Sequence, residues 1–194
     1  MKVLISDNLS KQGVDILKNA GLEVDARAKT SVDELMSIIG DYDALIIRSA
    51  TKVNEQLLDI AKKLKIVGRA GSGLDNVDIP ASTKRGVIVM NTPGGNTITT
   101  AEHTIGMLFA AARYIPQAAA SLKQGQWEKK KFMGIELNGK TLGIIGIGNI
   151  GGVVANRAQG LKMNVIAFDP FISPETAKEM GIELVSMDEL YKRS

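Results

Sequence analysis

The chain has 194 residues, 44% apolar and 23% charged, ordinary proportions for a folded globular protein with room for one large domain or two small ones. Its 24 basic and 21 acidic residues leave a net charge of +3, too small a surplus to point to nucleic acid. The lack of cysteine excludes disulfides, thiolate metal sites and thiol nucleophiles and suits a reducing compartment, and any metal site or Ser-His-Asp triad would have to be built around the single histidine, His103.

No apolar run approaches the roughly 20 residues of a membrane-spanning helix. The N-terminus turns polar at Ser6 and Asp7, too soon for a secretion signal. The expectation is a cytoplasmic protein with no membrane partner and no metal.

Residues 3–5 read as a buried strand, and Ser10 caps a helix that runs to Leu17 and stops at Gly21. Residues 22–26 form the next strand. Ser31 with Glu34 makes a capping box that opens a helix over 32–39. Residues 44–47 are a continuous apolar strand, Asn54 caps a helix through Ala61, and strands over 65–67 and 87–90 flank a helix over 78–85. Runs apolar on both faces predict a parallel sheet covered by helices. Five such strands alternating with helices make a flavodoxin-like unit; only residues 22–26 show the alternation of a half-exposed strand.

Pro93, Gly94, Gly95 and Asn96 interrupt the pattern and divide the chain into residues 1–95 and 96–194. Thr99 and Glu102 form another capping box, opening a helix to about Lys123. Ile105, Met107, Leu108 and Phe109 make it apolar nearly all round, which predicts burial on more than one side, as in a domain-bridging or subunit-interface helix. Pro116 is expected to kink or split it. A strand over 141–145, a helix over 150–159 and a strand over 164–168 follow. Then come a helix from Ser173, a short strand over 183–185, and a last capping box at Ser186 and Glu189.

Gly146-Ile147-Gly148-Asn149-Ile150-Gly151 spells G-x-G-x-x-G between a strand and a helix, and seventeen residues separate Gly151 from an acidic residue, Asp169, at the end of the next strand. That context is the dinucleotide-binding fingerprint. Gly146 allows the tight turn, Gly148 lets a pyrophosphate approach the backbone, and Gly151 lets the helix pack close to the strand. The N–H groups of Asn149 and Ile150 would face the phosphates. Asp169 would accept hydrogen bonds from the ribose hydroxyls and repel a 2′-phosphate, favouring NAD over NADP.

A second glycine cluster, Gly68 to Gly73, follows the strand over 65–67 and carries Arg69 and Ser72. Arg48 and Ser49 follow the strand over 44–47, and Pro93 to Asn96 follow that over 87–90. Ligands of open parallel sheets sit at those ends, and arginine recognises carboxylate or phosphate with two hydrogen bonds. Together the loops predict a site for a small anion. His103 reads as a helix-surface or interface residue rather than a catalytic one. Trp127 beside Lys129, Lys130 and Lys131 lacks the interleaved aromatics of a nucleic-acid surface and reads as a solvated or interface segment.

The stretches from Gly68 to Asp78, Asn91 to Asn96, Trp127 to Gly134, and Leu137 to Thr141 leading into the fingerprint resemble the D-isomer-specific 2-hydroxyacid dehydrogenases over essentially the whole chain. The likeness is greatest to members acting on 3-phospho-D-glycerate. The resemblance implies NAD-dependent oxidation of that substrate to 3-phosphohydroxypyruvate, the entry to serine biosynthesis, with other D-2-hydroxy acids as the alternative. It implies a flavodoxin-like substrate domain followed by the first βαβαβ half of a Rossmann domain. By position Arg48, Arg69, Ser72 and Asn96 would hold the substrate, and Ser72, Gly146, Gly148, Asn149, Ile150, Gly151 and Asp169 the cofactor. The family's catalytic arginine, glutamate and histidine find no match among these residues. A chain of these residues alone is therefore expected to be inactive, either a piece of such an enzyme or a non-catalytic nucleotide-binding fragment. With half a second sheet, the strand over 141–145 becomes an apolar edge. This predicts a homodimer or higher oligomer through that edge, the helix near Met107 and Phe109, or both.

Overall fold

The apolar runs become the strands of two all-parallel sheets in the computed structural model, which describes all of residues 1–194. The chain divides into two units, Met1–Gly95 and Asn96–Ser194.

The first unit carries β1 (Lys2–Ile5), α1 (Lys11–Asn19), β2 (Glu23–Ala26), α2 (Val32–Ile38), β3 (Ala44–Ile47), α3 (Glu55–Ile60), β4 (Ile66–Arg69), α4 (Ile79–Lys84) and β5 (Ile88–Met90). Ser10, Ser31, Asn54 and Asp78 cap the four helices, each accepting a backbone N–H from three residues on. Strand order is β2-β1-β3-β4-β5, the flavodoxin-like arrangement, whose switch point lies between β1 and β3. Leu4, Leu45, Ile47 and Val67 of the central strands pack with Leu35, Ile39, Leu57 and Leu58 in one core. The apolar runs of β1 and β3 are covered on both faces, whereas β5 corrects the expectation: it lies at the sheet edge with Ile88 and Met90 exposed. β4 runs two residues past the expected end. Gly68 lies in the ladder opposite Ile46, and Arg69 is the last strand residue, opposite Ile47.

The second unit begins with α5 (Thr97–Arg113) and α6 (Ile115–Lys123), then β6 (Thr141–Ile145), α7 (Asn149–Gly160), β7 (Asn164–Phe168), α8 (Pro174–Glu179), β8 (Glu183–Leu184) and α9 (Met187–Arg193). Its sheet has the order β6-β7-β8, with β6 at the edge. Val165 and Ala167 pack with Ile147, Ala155, Ala158 and Met163, and Leu108, Phe109 and Ala112 of α5 lie against this core.

Two expectations for the long helix are corrected. It is not buried on more than one side: only Ala101 of α5 is buried, while Ile98 is 49% and Met107 56% exposed. One stripe of α5 meets the core and the rest of its apolar surface is open. The helix also starts at Thr97, after Asn96, rather than at the Thr99 capping box, and no side chain caps it. The break falls at Tyr114, in the left-handed region at φ +52°. Pro116 lies in the first turn of α6, where its missing N–H has no helical acceptor to lose. No helix is long and apolar enough to cross a membrane.

Candidate functional site

β6 leads into Gly146, whose N–H donates to the Phe168 carbonyl at 2.8 Å and whose φ of +85° is open to glycine without strain. The chain then turns into α7, with Gly148 as its N-cap and no side chain bonded to the cap. Gly152 donates to the Gly148 carbonyl at 2.9 Å, the first intrahelical bond. The N–H groups of Gly148, Asn149, Ile150 and Gly151 therefore have no acceptor in the helix, and the positive end of its dipole lies there. A methyl on Gly148 would meet nothing within 4 Å, so the approach to these groups is open. A methyl on Gly151 would lie 2.0 Å from the Gly146 carbonyl oxygen: α7 crosses its own entry turn in backbone contact.

Asp169 follows β7. Its carboxylate accepts the Ile147 N–H at 2.9 Å and the Phe171 N–H at 2.8 Å. The two amides, Phe171 foremost, hold it below the usual carboxylate range, so it is anionic through neutral pH. It stands beside the glycine turn. Beyond the turn, a cavity of about 540 Å³ lies along β6, lined by Ile105 and Leu108 of α5, Ile144 and Ile145, and Ile150 and Val154 of α7. The residues present fit the pyrophosphate and adenosine-ribose portions of a dinucleotide, with donors for the phosphates and an acceptor for the ribose.

In the first unit, Arg48, Arg69 and Ser72 come together at the carboxyl-end rim of one sheet. Arg48 is exposed just past β3. Arg69 Nη1 lies 3.2 Å from Asp75 Oδ1, and its Nε is buried with no partner. The Ser72 hydroxyl donates to the Thr92 carbonyl at 3.4 Å, and Asn91 Nδ2 donates to the Ser72 carbonyl at 2.6 Å. These bonds tie the loops after β4 and β5 together. Asn96 belongs to the second unit, where it precedes α5.

Four residues were missed by sequence reasoning: Ser6, Asp7, Thr51 and Asn76. All are buried, and they link the loops after β1, β3 and β4. Asp7 Oδ2 accepts the Arg48 N–H at 2.6 Å, and Asn76 Nδ2 donates to the Arg48 carbonyl at 2.7 Å. The signal available was a polar Ser-Asp pair directly after the apolar run of β1, at the switch point. His103 is exposed on α5, and Trp127 is 79% exposed with Lys129, Lys130 and Lys131 exposed beside it.

The family model for the catalytic domain of D-isomer-specific 2-hydroxyacid dehydrogenases matches residues 3–188. The D-3-phosphoglycerate dehydrogenase of Archaeoglobus fulgidus is 52% identical over all of this chain and 37% of its own length. The human protein of that name is 50% identical over 98% of this chain and 36% of its own length. The chain thus spans little more than a third of the curated relatives it matches. Among solved structures, the TT0316 protein of Thermus thermophilus superposes with a TM-score of 0.89 at 32% identity, covering all of this chain and 62% of that one. A formate dehydrogenase of Staphylococcus aureus in complex with NAD gives 0.86 at 25% identity, covering all of this chain and 63% of that one. An acyclic imino acid reductase in complex with NADPH and D-Arg gives 0.88 at 25% identity, with the same coverage. The parallel sheets, the glycine turn and the match across both units assign this chain to the family of D-isomer-specific 2-hydroxyacid dehydrogenases.

Proposed function

We propose that these residues form the anion-binding and nucleotide-binding parts of an NAD-dependent dehydrogenase that oxidises 3-phospho-D-glycerate to 3-phosphohydroxypyruvate. The observation that carries the reading is the uncapped start of α7, open above Gly148, beside an anionic Asp169. In this reading Gly148, Asn149, Ile150 and Gly151 hold the pyrophosphate, and Asp169 the ribose hydroxyls. The nicotinamide, when bound, accepts hydride from the substrate carbon. Arg48, Arg69 and Ser72 of the first unit hold the substrate's charged groups. The phosphoglycerate assignment is supported by the names of the most similar relatives.

An ionised Asp169 disfavours a 2′-phosphate, which supports NAD over NADP. The reading covers binding rather than turnover by these residues alone, because the one imidazole, His103, is exposed on α5 and matches no family base. A cytoplasmic location agrees with the lack of cysteine. Association into a homodimer or higher oligomer is supported by the open apolar surface of α5, where Ile98 is 49% and Met107 56% exposed.

Calorimetric titration of NAD, NADP and AMP into wild type and Asp169→Ala tests the nucleotide site. Binding of NAD and AMP, weaker for NADP and lost in the variant, is expected. Equal binding by the variant overturns the role of Asp169. Titration of 3-phospho-D-glycerate into wild type and Arg48→Ala tests the anion site, and D-lactate in parallel separates the phosphorylated substrate from other D-2-hydroxy acids.

A further inference from the structure

Six polar residues of this chain are buried, and four of them, Ser6, Asp7, Thr51 and Asn76, form one hydrogen-bonded group at the switch point of the first sheet. A polar group in a protein interior is costly unless its bonds are made; once they are made it fixes a single local geometry. Here the proton positions follow from the partners. The carboxylate of Asp7 only accepts, so the Thr51 hydroxyl donates to Asp7 Oδ1 at 3.0 Å, and Ser6 must donate to Thr51 Oγ1 at 2.8 Å. Asp7 Oδ2 takes the N–H of Arg48 at 2.6 Å and of Thr51 at 3.2 Å. Asn76 Nδ2 donates to the carbonyls of Arg48 at 2.7 Å and Thr51 at 2.6 Å. Turning the amide over would aim Asn76 Oδ1 at two carbonyls, so its orientation is fixed even though Oδ1 is left buried without a partner.

The outcome is specific to one residue. Arg48 has its N–H held by the loop after β1 and its carbonyl held by the loop after β4, while its side chain is exposed. Backbone bonds hold the far end of the loop after β3, where the Val53 N–H donates to the Asn76 carbonyl and the Val53 carbonyl accepts the Asp78 N–H, both at 2.8 Å, so it is at Arg48 that this group supplies the rigidity. We propose that Asp7, Thr51 and Asn76 are positioning residues that clamp the backbone of Arg48 and so preorganise its guanidinium for the carboxylate or phosphate of the substrate. The inference rests on the reading of Arg48 as an anion-binding residue.

The test uses the whole chain and 3-phospho-D-glycerate, followed by the NMR signal of the Arg48 side-chain Nε–H, with thermal unfolding of each variant to set a working temperature where it is folded. Thr51→Val keeps the shape and removes the hydroxyl, Thr51→Ser keeps the hydroxyl, and Asn76→Ala removes both donors. Thr51→Val and Asn76→Ala are expected to bind about three- to tenfold more weakly, the scale of ordering one long side chain on binding. The Arg48 signal should broaden in these two variants, and Thr51→Ser should restore binding to within about twofold of wild type. Should Asn76→Ala not fold, the Thr51 pair carries the test. Folded Thr51→Val that binds as wild type does, while Arg48→Ala loses binding, overturns the positioning role and leaves the anion reading intact. Arg48→Ala that binds as wild type does overturns the anion reading and this inference with it.

Discussion

Gly151→Ala puts a methyl 2.0 Å from the Gly146 carbonyl oxygen and 3.0 Å from its carbon. Ordinary contact begins near 3.4 Å, so the two backbones must part by about 1.4 Å. Both partners are main chain, and no side-chain rotation relieves the clash. Overpacking of this kind costs about 1–3 kcal/mol, and a backbone contact belongs at or beyond the upper end. Alanine regains about 1 kcal/mol of helix propensity. The net expectation is a loss of about 2 kcal/mol, which for a unit of about 100 residues lowers the melting temperature by roughly 10 °C or more. Gly106→Ala is the control. It lies inside α5 with nothing within 4 Å of the added methyl, and should stabilise by about 0.5–1 kcal/mol. Thermal and urea unfolding followed by circular dichroism give both values. A Gly151→Ala protein within about 0.5 kcal/mol of wild type would refute the close crossing of α7 over its entry turn, and with it the rigid geometry assigned to the phosphate-facing amides.

Asp169 has its folded pKa depressed by the Phe171 and Ile147 amides. Its stabilisation is therefore present above the unfolded value, about 3.9, and is lost as pH falls through the folded one. Asp169→Asn should melt below wild type at pH 7, with the gap closing in acid below about pH 4; a gap that does not change with pH counts against these bonds. Asp75 pairs with Arg69 and is 83% exposed, so under the proposed reading it competes with a bound anion. Asp75→Asn should bind 3-phospho-D-glycerate about two- to fivefold more tightly at low salt, within the 0–1 kcal/mol of an exposed ion pair, and unchanged affinity removes Asp75 as a competitor. Light scattering should show more than a monomer at high micromolar concentration, and a clean monomer there ends the proposed association.

The parallel sheet was legible because residues 44–47 are apolar at successive positions, as in a strand covered on both faces; the same reading overreached at 87–90, where Ile88 and Met90 of the edge strand β5 are 59% and 57% exposed. Helix starts were legible where a short polar side chain bonds back to the backbone, as at Ser31, Asn54 and Ser186. The start of α5 was not, because Asn96 sits at its N-cap without a side-chain cap bond. Composition also misjudged α5, since the apolar count of a helix does not say which stripe meets a partner. The fingerprint turn was readable because its spacing is local. Asp7, Thr51 and Asn76 were not, because they meet across 25 to 44 positions of sequence and only the strand order brings them together.

Because every strand of the first sheet points the same way, each return from helix to strand lies on the rim opposite Arg48 and Arg69. Four-residue strands separate the two rims by about 13 Å. The chain also contains no native thiol. A cysteine introduced at exposed Lys62 or Lys84 on that far rim would be the only reactive sulfur in the molecule. A dye attached there would carry a single reporter without touching the loops that bear Arg48 and Arg69, which opens the chain to single-molecule observation.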